Sequence, residues 1–315
     1  MKILITGGAG FIGSHLANRL SLEGNEIVVF DMLGETSCLN RLVPQGIRII
    51  ENQLQNPNIW NQIDKDFDLV INSAAETHVD HSFTRAEDFI QTNILGLHYV
   101  SKFCADNNIT LLHFSTDEVI GTGKPLFENS MTLPTNPYAA TKASGESLLH
   151  AYGLSYGLDY KIVRLNNIYG TMQFPDKLIP LFINKLNNSE KLTIHGNGKQ
   201  VRFFLHVDDF IDAIKLVLEK GKSRNIYNVS TDESYNVLEI TKMICTIMKK
   251  NFDSNIEYVE NRLFQDEIYL SNSGKLRNLG WRTKRTLKET LPVLVDWYTK
   301  NPEFFIPYKK VSSFY

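Results

Sequence analysis

Lys2-Ile3-Leu4-Ile5-Thr6-Gly7-Gly8-Ala9-Gly10-Phe11-Ile12-Gly13 is the stretch that decides the fold. Its first five residues are a β-rich run. Apolar residues then return at helical spacing from Ser14 to Leu22, at Leu16, Ala17, Leu20 and Leu22. Strand, glycine turn and helix in that order are the context of a dinucleotide fingerprint. Gly7 allows the tight turn, Gly10 lets the backbone approach a pyrophosphate, and Gly13 lets the helix pack on the strand. The helix N-terminus, at Phe11 and Ile12, then turns unpaired N–H groups toward an anion. The glycines alone also fit an ordinary strand-to-helix turn. Asp31 tips the balance: it ends the run Ile27-Val28-Val29-Phe30, about 20 residues past the glycines, where an acid binds the adenosine ribose. An acid there repels a 2′-phosphate, and no arginine neighbours Asp31 in sequence. NAD is therefore favoured over NADP.

Outward from this unit, Ile47–Ile50 and Leu69–Asn72 read as further strands. The second runs into Ser73-Ala74-Ala75-Glu76, small residues that let a cofactor lie against the backbone or a helix pack tightly. Asp88 to Ala105 reads as one helix. The alternation predicts an α/β fold, a Rossmann-like doubly wound parallel sheet, with ligands beyond the carboxyl ends of its strands. Gly7, Asp31, Ala74 and Ser115 then share one edge.

Ile109 to Phe114 reads as a buried strand that ends in Ser115-Thr116-Asp117-Glu118-Val119. Two adjacent carboxylates at a strand end are either a solvated turn or a site, because shielding them from water is costly. Asn136-Pro137 is a good helix start. Tyr138 and Lys142 then stand at i and i+4, on one helical face. A lysine beside a phenol lowers its pKa, and a phenolate near a substrate hydroxyl is a general base.

These features resemble the extended short-chain dehydrogenase/reductases. Within that group, Ala74-Ala75-Glu76-Thr77-His78-Val79-Asp80, Ser115 to Val119, Asn136 to Lys142, Asn167-Ile168-Tyr169-Gly170 and Phe174 to Pro180 resemble nucleotide-diphosphate-hexose 4,6-dehydratases of the dTDP-glucose type. In length, and in Arg262-Leu263-Phe264, the chain also resembles compact UDP-sugar 4,6-dehydratases, including those of giant viruses.

The resemblance implies the following roles. Tyr138 takes the C4 hydroxyl proton while NAD takes the C4 hydride, which later returns to C6. Thr116 hydrogen-bonds that hydroxyl and Lys142 supports Tyr138 and the nicotinamide ribose. Glu118 removes the C5 proton, and Asp117 protonates the departing C6 hydroxyl. Two carboxylates in different protonation states need different environments. Gly7, Gly10, Phe11, Ile12, Gly13, Asp31, Gln53, Ala74, Ala75, Tyr138 and Lys142 would hold the cofactor. Asn167, Lys177, Leu178, His195, Arg202 and Arg262 would touch the sugar nucleotide; guanidinium groups suit diphosphate oxygens. The family also implies a homodimer, with Ala139, Ala143 and Leu148-Leu149 facing either a partner helix or their own sheet.

Several positions depart from the dTDP-glucose pattern. Ile120 replaces a tyrosine and Phe203-Phe204 an Asp-Trp pair. His195 replaces a tyrosine that packs on the base, and Gln265 a histidine near Arg262. Asn52-Gln53 replaces a Gly-Asp pair that contacts adenine. They point to a UDP-sugar, UDP-glucose or UDP-N-acetylglucosamine, ahead of dTDP-glucose. A UDP-sugar 4-epimerase would not need Asp117-Glu118, a decarboxylase typically has serine at position 117, and a non-catalytic NAD-binding sensor commonly loses the Tyr/Lys pair.

The remaining features bound the class. The 315 residues suffice for two lobes. These are an NAD-binding domain over 1–170 plus about 200–232, and a sugar-nucleotide lobe over about 171–199 and 233–315. A formal net charge of −2 leaves no basic footprint for nucleic acid. Cys38, Cys104 and Cys245 have no metal-ligand spacing and read as reduced thiols of a cytoplasmic protein. No apolar run approaches the roughly 18 residues of a membrane span, and the N-terminal pattern is not that of a signal peptide.

Overall fold

The computed structural model describes residues 1–121, 126–261, 268 and 270–305. Seven strands form the main sheet: β1 (Lys2–Thr6), β2 (Glu26–Asp31), β3 (Arg48–Glu51), β4 (Leu69–Asn72), β5 (Thr110–Thr116), β6 (Tyr160–Leu165) and, after three strands placed elsewhere, β10 (Asn225–Val229). Their order is β3-β2-β1-β4-β5-β6-β10, and every pairing is parallel. This is the doubly wound arrangement expected, with its order reversing between β1 and β4.

Burial explains why these strands are so apolar. Ile3, Ile5, Val29, Ile71 and Phe114 enter one buried cluster, while Leu4, Val28, Phe30, Val70 and Leu111 enter another. Alternate residues therefore serve opposite faces, and both faces are covered. The Phe11–Leu22 and Val207–Lys220 helices cover the first face; Phe210, Ile214 and Val217 pack into it.

The remaining strands are β7 (Asn167–Tyr169), β8 (Leu192–His195), β9 (Val201–His206), β11 (Ser234–Asn236) and β12 (Ile256–Val259). β11-β9-β7 form a three-stranded sheet and β12-β8 a two-stranded one. Helices Leu178–Asn187, Val237–Ile247 and Leu287–Lys300 bury Ile183, Ile240, Ile244, Leu291 and Leu294 in a separate core. No helix among the described residues is long and apolar enough to cross a membrane.

One local expectation changes. The segment from Asp88 to Ala105 is not one regular helix: Ala86–Phe89 and Leu97–Asn107 are α-helical, but Ile90–Gly96 is π-helical. Asn93 lies buried in this wide turn. It accepts from Glu76 N at 2.9 Å and donates to Glu76 O and to Thr141 Oγ1, both at 3.0 Å. The extra residue per turn accommodates a side chain that ties the Ala74–Glu76 segment to the Tyr138 helix. Of the two alternatives left open for Ala139, Ala143 and Leu148-Leu149, burial within the chain favours its own core for Ala139, Ala143 and Leu149. Leu148 is only partly buried.

Candidate active site

The glycine turn has the shape its sequence demands. Gly7 has φ +67°, and a Cβ there would stand 2.7 Å from the Ala74 backbone. A Cβ at Gly13 would collide with the Gly7 carbonyl oxygen, whereas one at Gly10 would meet only that oxygen, at 3.1 Å. The turn is thus closed against side chains on its inner side and free beside Gly10, as a pyrophosphate requires. Asp31 is buried at the end of β2. Its oxygens accept from Ala9 N and Leu33 N at 2.9 Å and from Ser37 Oγ at 2.7 Å. Gln53 is exposed just past β3, and the adjoining Asn52 N donates to Asp31 O at 3.1 Å. Ala74 and Ala75 follow β4. These residues fit a dinucleotide along the carboxyl edge of the sheet.

No arginine adjoins Asp31 in sequence, yet the fold brings Arg41 within its electrostatic reach.

The residues to which the sequence assigns the chemistry gather at the end of β5. Asp117 is buried, so the acid pair is not a solvated turn. Asp117–Ile120 is a single 3-10 turn capped by Thr116, whose Oγ1 accepts from Glu118 N at 3.3 Å. The Thr116 hydroxyl donates to Asp117 Oδ1 at 3.3 Å and also hydrogen-bonds the Tyr138 phenol. Pro137–Ser155 is the helix expected. Asn136 caps it by accepting from Ala139 N at 2.8 Å, and its Nδ2 donates to Glu118 Oε2 at 2.8 Å. Helix start and acid pair are thereby fixed by one side chain.

Electrostatics separates these groups. Burial pushes the Asp117 carboxyl up to about 7, and the charge of Glu118 adds to this, while Asn166, Arg202 and Thr116 pull it back. Burial pushes Lys142 down to about 8 against the charge of Glu146. Tyr138 departs from the sequence expectation. Burial, then the charges of Glu118 and Asp117, hold its phenol well above the ordinary value, and only the Thr116 hydrogen bond opposes them. The protein itself therefore favours the neutral phenol: desolvation and the two carboxylates outweigh the Thr116 hydrogen bond.

Residues assigned to the sugar nucleotide are spread more widely. Arg202 on β9 acts on Asp117 through its charge. Asn167 is exposed at the start of β7. Lys177 pairs with Asp176 at 3.0 Å, directly before Leu178, which packs on the second core. His195 ends β8. Among the described residues, no hydrogen bond links these last four to the Tyr138 cluster. Arg262 and Gln265 lie outside the described residues.

The sequence reading missed Asn166, Glu146 and Arg164. Asn166 is buried and donates to Asp117 Oδ2 at 2.6 Å, while its Oδ1 has no partner among the described residues. Ser115, expected on the ligand edge, turns its Oγ inward and donates to Glu146 Oε1 at 2.5 Å. Arg164 binds the same carboxylate through Nε at 2.9 Å and Nη2 at 2.6 Å. That buried pair ties β5, β6 and the Tyr138 helix together. The available signal was the pairing of β5 with β6, which no single-sequence spacing displays.

Residues 3–230 match the NAD dependent epimerase/dehydratase family. The chain belongs to that family. Within it, a trifunctional UDP-glucose 4,6-dehydratase/UDP-4-keto-6-deoxy-D-glucose 3,5-epimerase/UDP-4-keto-L-rhamnose-reductase of Arabidopsis thaliana is 41% identical over 319 residues, 96% of this chain and 48% of that protein. The chain thus spans about half the length of the Arabidopsis relatives it matches. A dTDP-D-glucose 4,6-dehydratase of Dictyostelium discoideum is 36% identical over 363 residues, 97% of this chain and 83% of that one. The crystal structure of DesIV, a dTDP-glucose 4,6-dehydratase from Streptomyces venezuelae with NAD bound, superposes with a TM-score of 0.93 at 32% identity. It covers 97% of this chain and 99% of its own. The epimerase/dehydratase family is NAD-dependent, in keeping with the cradle at Gly7 and the acid at Asp31.

Proposed function

We propose that this chain is an NAD-dependent nucleotide-diphosphate-hexose 4,6-dehydratase that acts on UDP-glucose. The observation that carries this reading is the pair Asp117 and Glu118 beside Tyr138, with Asp117 buried and pushed up to about 7. An epimerase needs the tyrosine but has no use for two carboxylates held in unlike environments.

The residues divide the work as follows. Tyr138, hydrogen-bonded to Thr116, would receive the proton of the sugar C4 hydroxyl as the phenolate. Burial and the two carboxylates disfavour that form in the ligand-free site, and the positive charges of bound NAD and of Lys142 would have to stabilise it. Held by the glycine turn, NAD would supply the hydride chemistry, out of C4 and back to C6, so that none is consumed. The ketone at C4 acidifies the C5 proton, which Glu118 removes; Asn136 orients that carboxylate. Asp117 carries a proton near neutral pH and delivers it to the C6 hydroxyl, which leaves as water. Lys142 supports Tyr138 and the nicotinamide ribose. Gly7, Gly10, Phe11, Ile12, Gly13, Asp31, Gln53, Ala74 and Ala75 hold the dinucleotide. Asp31 would repel a 2′-phosphate, which favours NAD over NADP.

Asn167, Lys177, Leu178, His195, Arg202 and Arg262 hold the sugar nucleotide, and the protein works as a homodimer in the cytoplasm. UDP-glucose takes precedence over UDP-N-acetylglucosamine and dTDP-glucose. The higher identity to relatives named for UDP-glucose, 41% against 36% for the Dictyostelium relative named for dTDP-D-glucose, supports that order.

The test is incubation of the full chain with each of the three sugar nucleotides. Formation of the 4-keto product and proton NMR at C5 would be followed, with light scattering for oligomeric state. A 4-keto-6-deoxy product from UDP-glucose is expected. Conversion to a C4 epimer without loss of water would overturn the dehydratase reading. Preference for dTDP-glucose would overturn the substrate.

A further inference from the structure

Arg41 is one of the largest fully buried side chains in the protein, at 1% exposure. The proposed mechanism gives it no task. Its Nη1 donates to Ala9 O at 3.1 Å and Thr36 O at 2.6 Å, and its Nε to Met172 O at 2.8 Å. All three acceptors are neutral main-chain carbonyls. No carboxylate lies within ion-pair distance of it among the described residues. Asp31 and Asp176 act on it only through space. A buried guanidinium with no acid in contact is costly to keep.

The three carbonyls belong to three different segments. Ala9 lies inside the glycine turn, and Cys38 N also donates to its oxygen at 2.9 Å. Thr36 lies in the loop after β2, where Ser37 holds Asp31. Met172 follows β7 at the edge of the second core and has φ +63°, a conformation that a methionine keeps only when its surroundings impose it. Its neighbours are pinned from the other side, because Tyr298 Oη donates to Gly170 O at 2.8 Å and accepts from Gln173 N at 2.9 Å.

We propose that Arg41 is a positioning residue for the diphosphate of the dinucleotide. It places a positive charge behind the Gly7–Gly13 turn and locks that turn to the Asp31 loop and to the Gly170–Gln173 segment. It acts through the turn, since its Nε and Nη1 are spent on these carbonyls. The dianionic diphosphate supplies the negative charge that no side chain in contact provides. This rests on the reading of the turn as a dinucleotide site, and it concerns the diphosphate alone.

The test uses the full-length wild type, Arg41→Met and Arg41→Lys, each freed of resident nucleotide. Calorimetric titrations with NAD, ADP and adenosine are run at low and moderate salt, with thermal unfolding of the ligand-free proteins. Arg41→Met should bind NAD and ADP about tenfold more weakly, the scale of one charge acting at short range in a partly screened site. Its salt dependence for ADP should flatten, and adenosine binding should stay unchanged. Arg41→Lys keeps the charge and should retain most of the ADP affinity while losing part of the lock.

If Arg41→Met binds ADP as the wild type does, or loses ADP and adenosine equally, the inference is overturned. Should the Met variant fail to fold, the Lys variant decides: selective loss of its ADP affinity at unchanged adenosine binding would overturn the charge role, and retention supports it. A wild type that binds ADP in an Arg41-dependent way but not NAD would instead sink the proposed function and leave this inference standing.

Discussion

Asn166 Nδ2 donates to Asp117 Oδ2 at 2.6 Å, and both side chains are buried. The two residues are brought together by the parallel pairing of β5 and β6, whose last register pair is Thr116 with Leu165. Each chain then steps one residue beyond the ladder, and the acid meets its amide. That amide favours the ionised acid and so limits how far burial raises it.

Asn166→Ala should therefore raise Asp117 above about 7. Dehydration needs the protonated acid, so the wild-type rate should fall as pH rises through about 7, and in the variant this fall should move to higher pH. A pH profile of kcat for both proteins checks it. An unchanged alkaline limb would show that another group controls it.

Glu118→Gln should stop 4-keto-6-deoxy product formation while leaving C4 oxidation possible. Single-turnover absorbance at 340 nm should then show reduced cofactor accumulating on addition of sugar nucleotide. Full dehydratase activity in this variant would remove Glu118 from the role of base.

Asn136 has two tasks that substitution can separate. Asn136→Ala loses the helix cap and should cost about 1 kcal/mol of stability. It also frees Glu118 and should lower kcat by roughly tenfold, the scale of one hydrogen bond to a charged group. Asn136→Ser restores a cap but not the longer reach to Glu118. Urea unfolding should recover in the serine variant and kcat should not.

Lys142 is held at about 8, below its ordinary 10.5. The folded protein thus binds this proton more weakly than the unfolded chain does. The resulting penalty is full below about pH 8 and fades as pH rises toward 10.5. Lys142→Met should abolish activity yet raise stability at pH 7 by on the order of 1–3 kcal/mol. That gain should vanish near pH 10.5. Chemical denaturation at both pH values reads it out, and a pH-independent difference would show that packing, not charge, explains it.

Gly13→Ala tests the cradle. Its methyl would collide with the Gly7 carbonyl oxygen and stand 2.9 Å from Gly8 Cα, both backbone atoms with little freedom to move. About 2–4 kcal/mol of destabilisation is expected, at the upper end of overpacking, with loss of NAD binding. Denaturation midpoints and NAD titration measure the two effects.

What the sequence determined by itself was local. The glycine turn, the acid ending β2 and the Asn136-Pro137 start of the Tyr138 helix are each encoded within a few residues. Local sterics and capping impose them wherever the chain goes. Strand alternation then gave the sheet, because a parallel sheet buried on both faces needs continuous apolar strands. Tertiary structure alone decided what spans long separations. It placed Asn166 against Asp117, turned Ser115 toward Glu146 and Arg164, and set Arg41 behind the glycine turn. It also reversed the expectation for Tyr138, since the cost of burying a phenolate depends on everything packed around it and not on a lysine four residues away. The sequence could name the candidate groups, but only the fold sets how burial shifts each of them toward its protonated form.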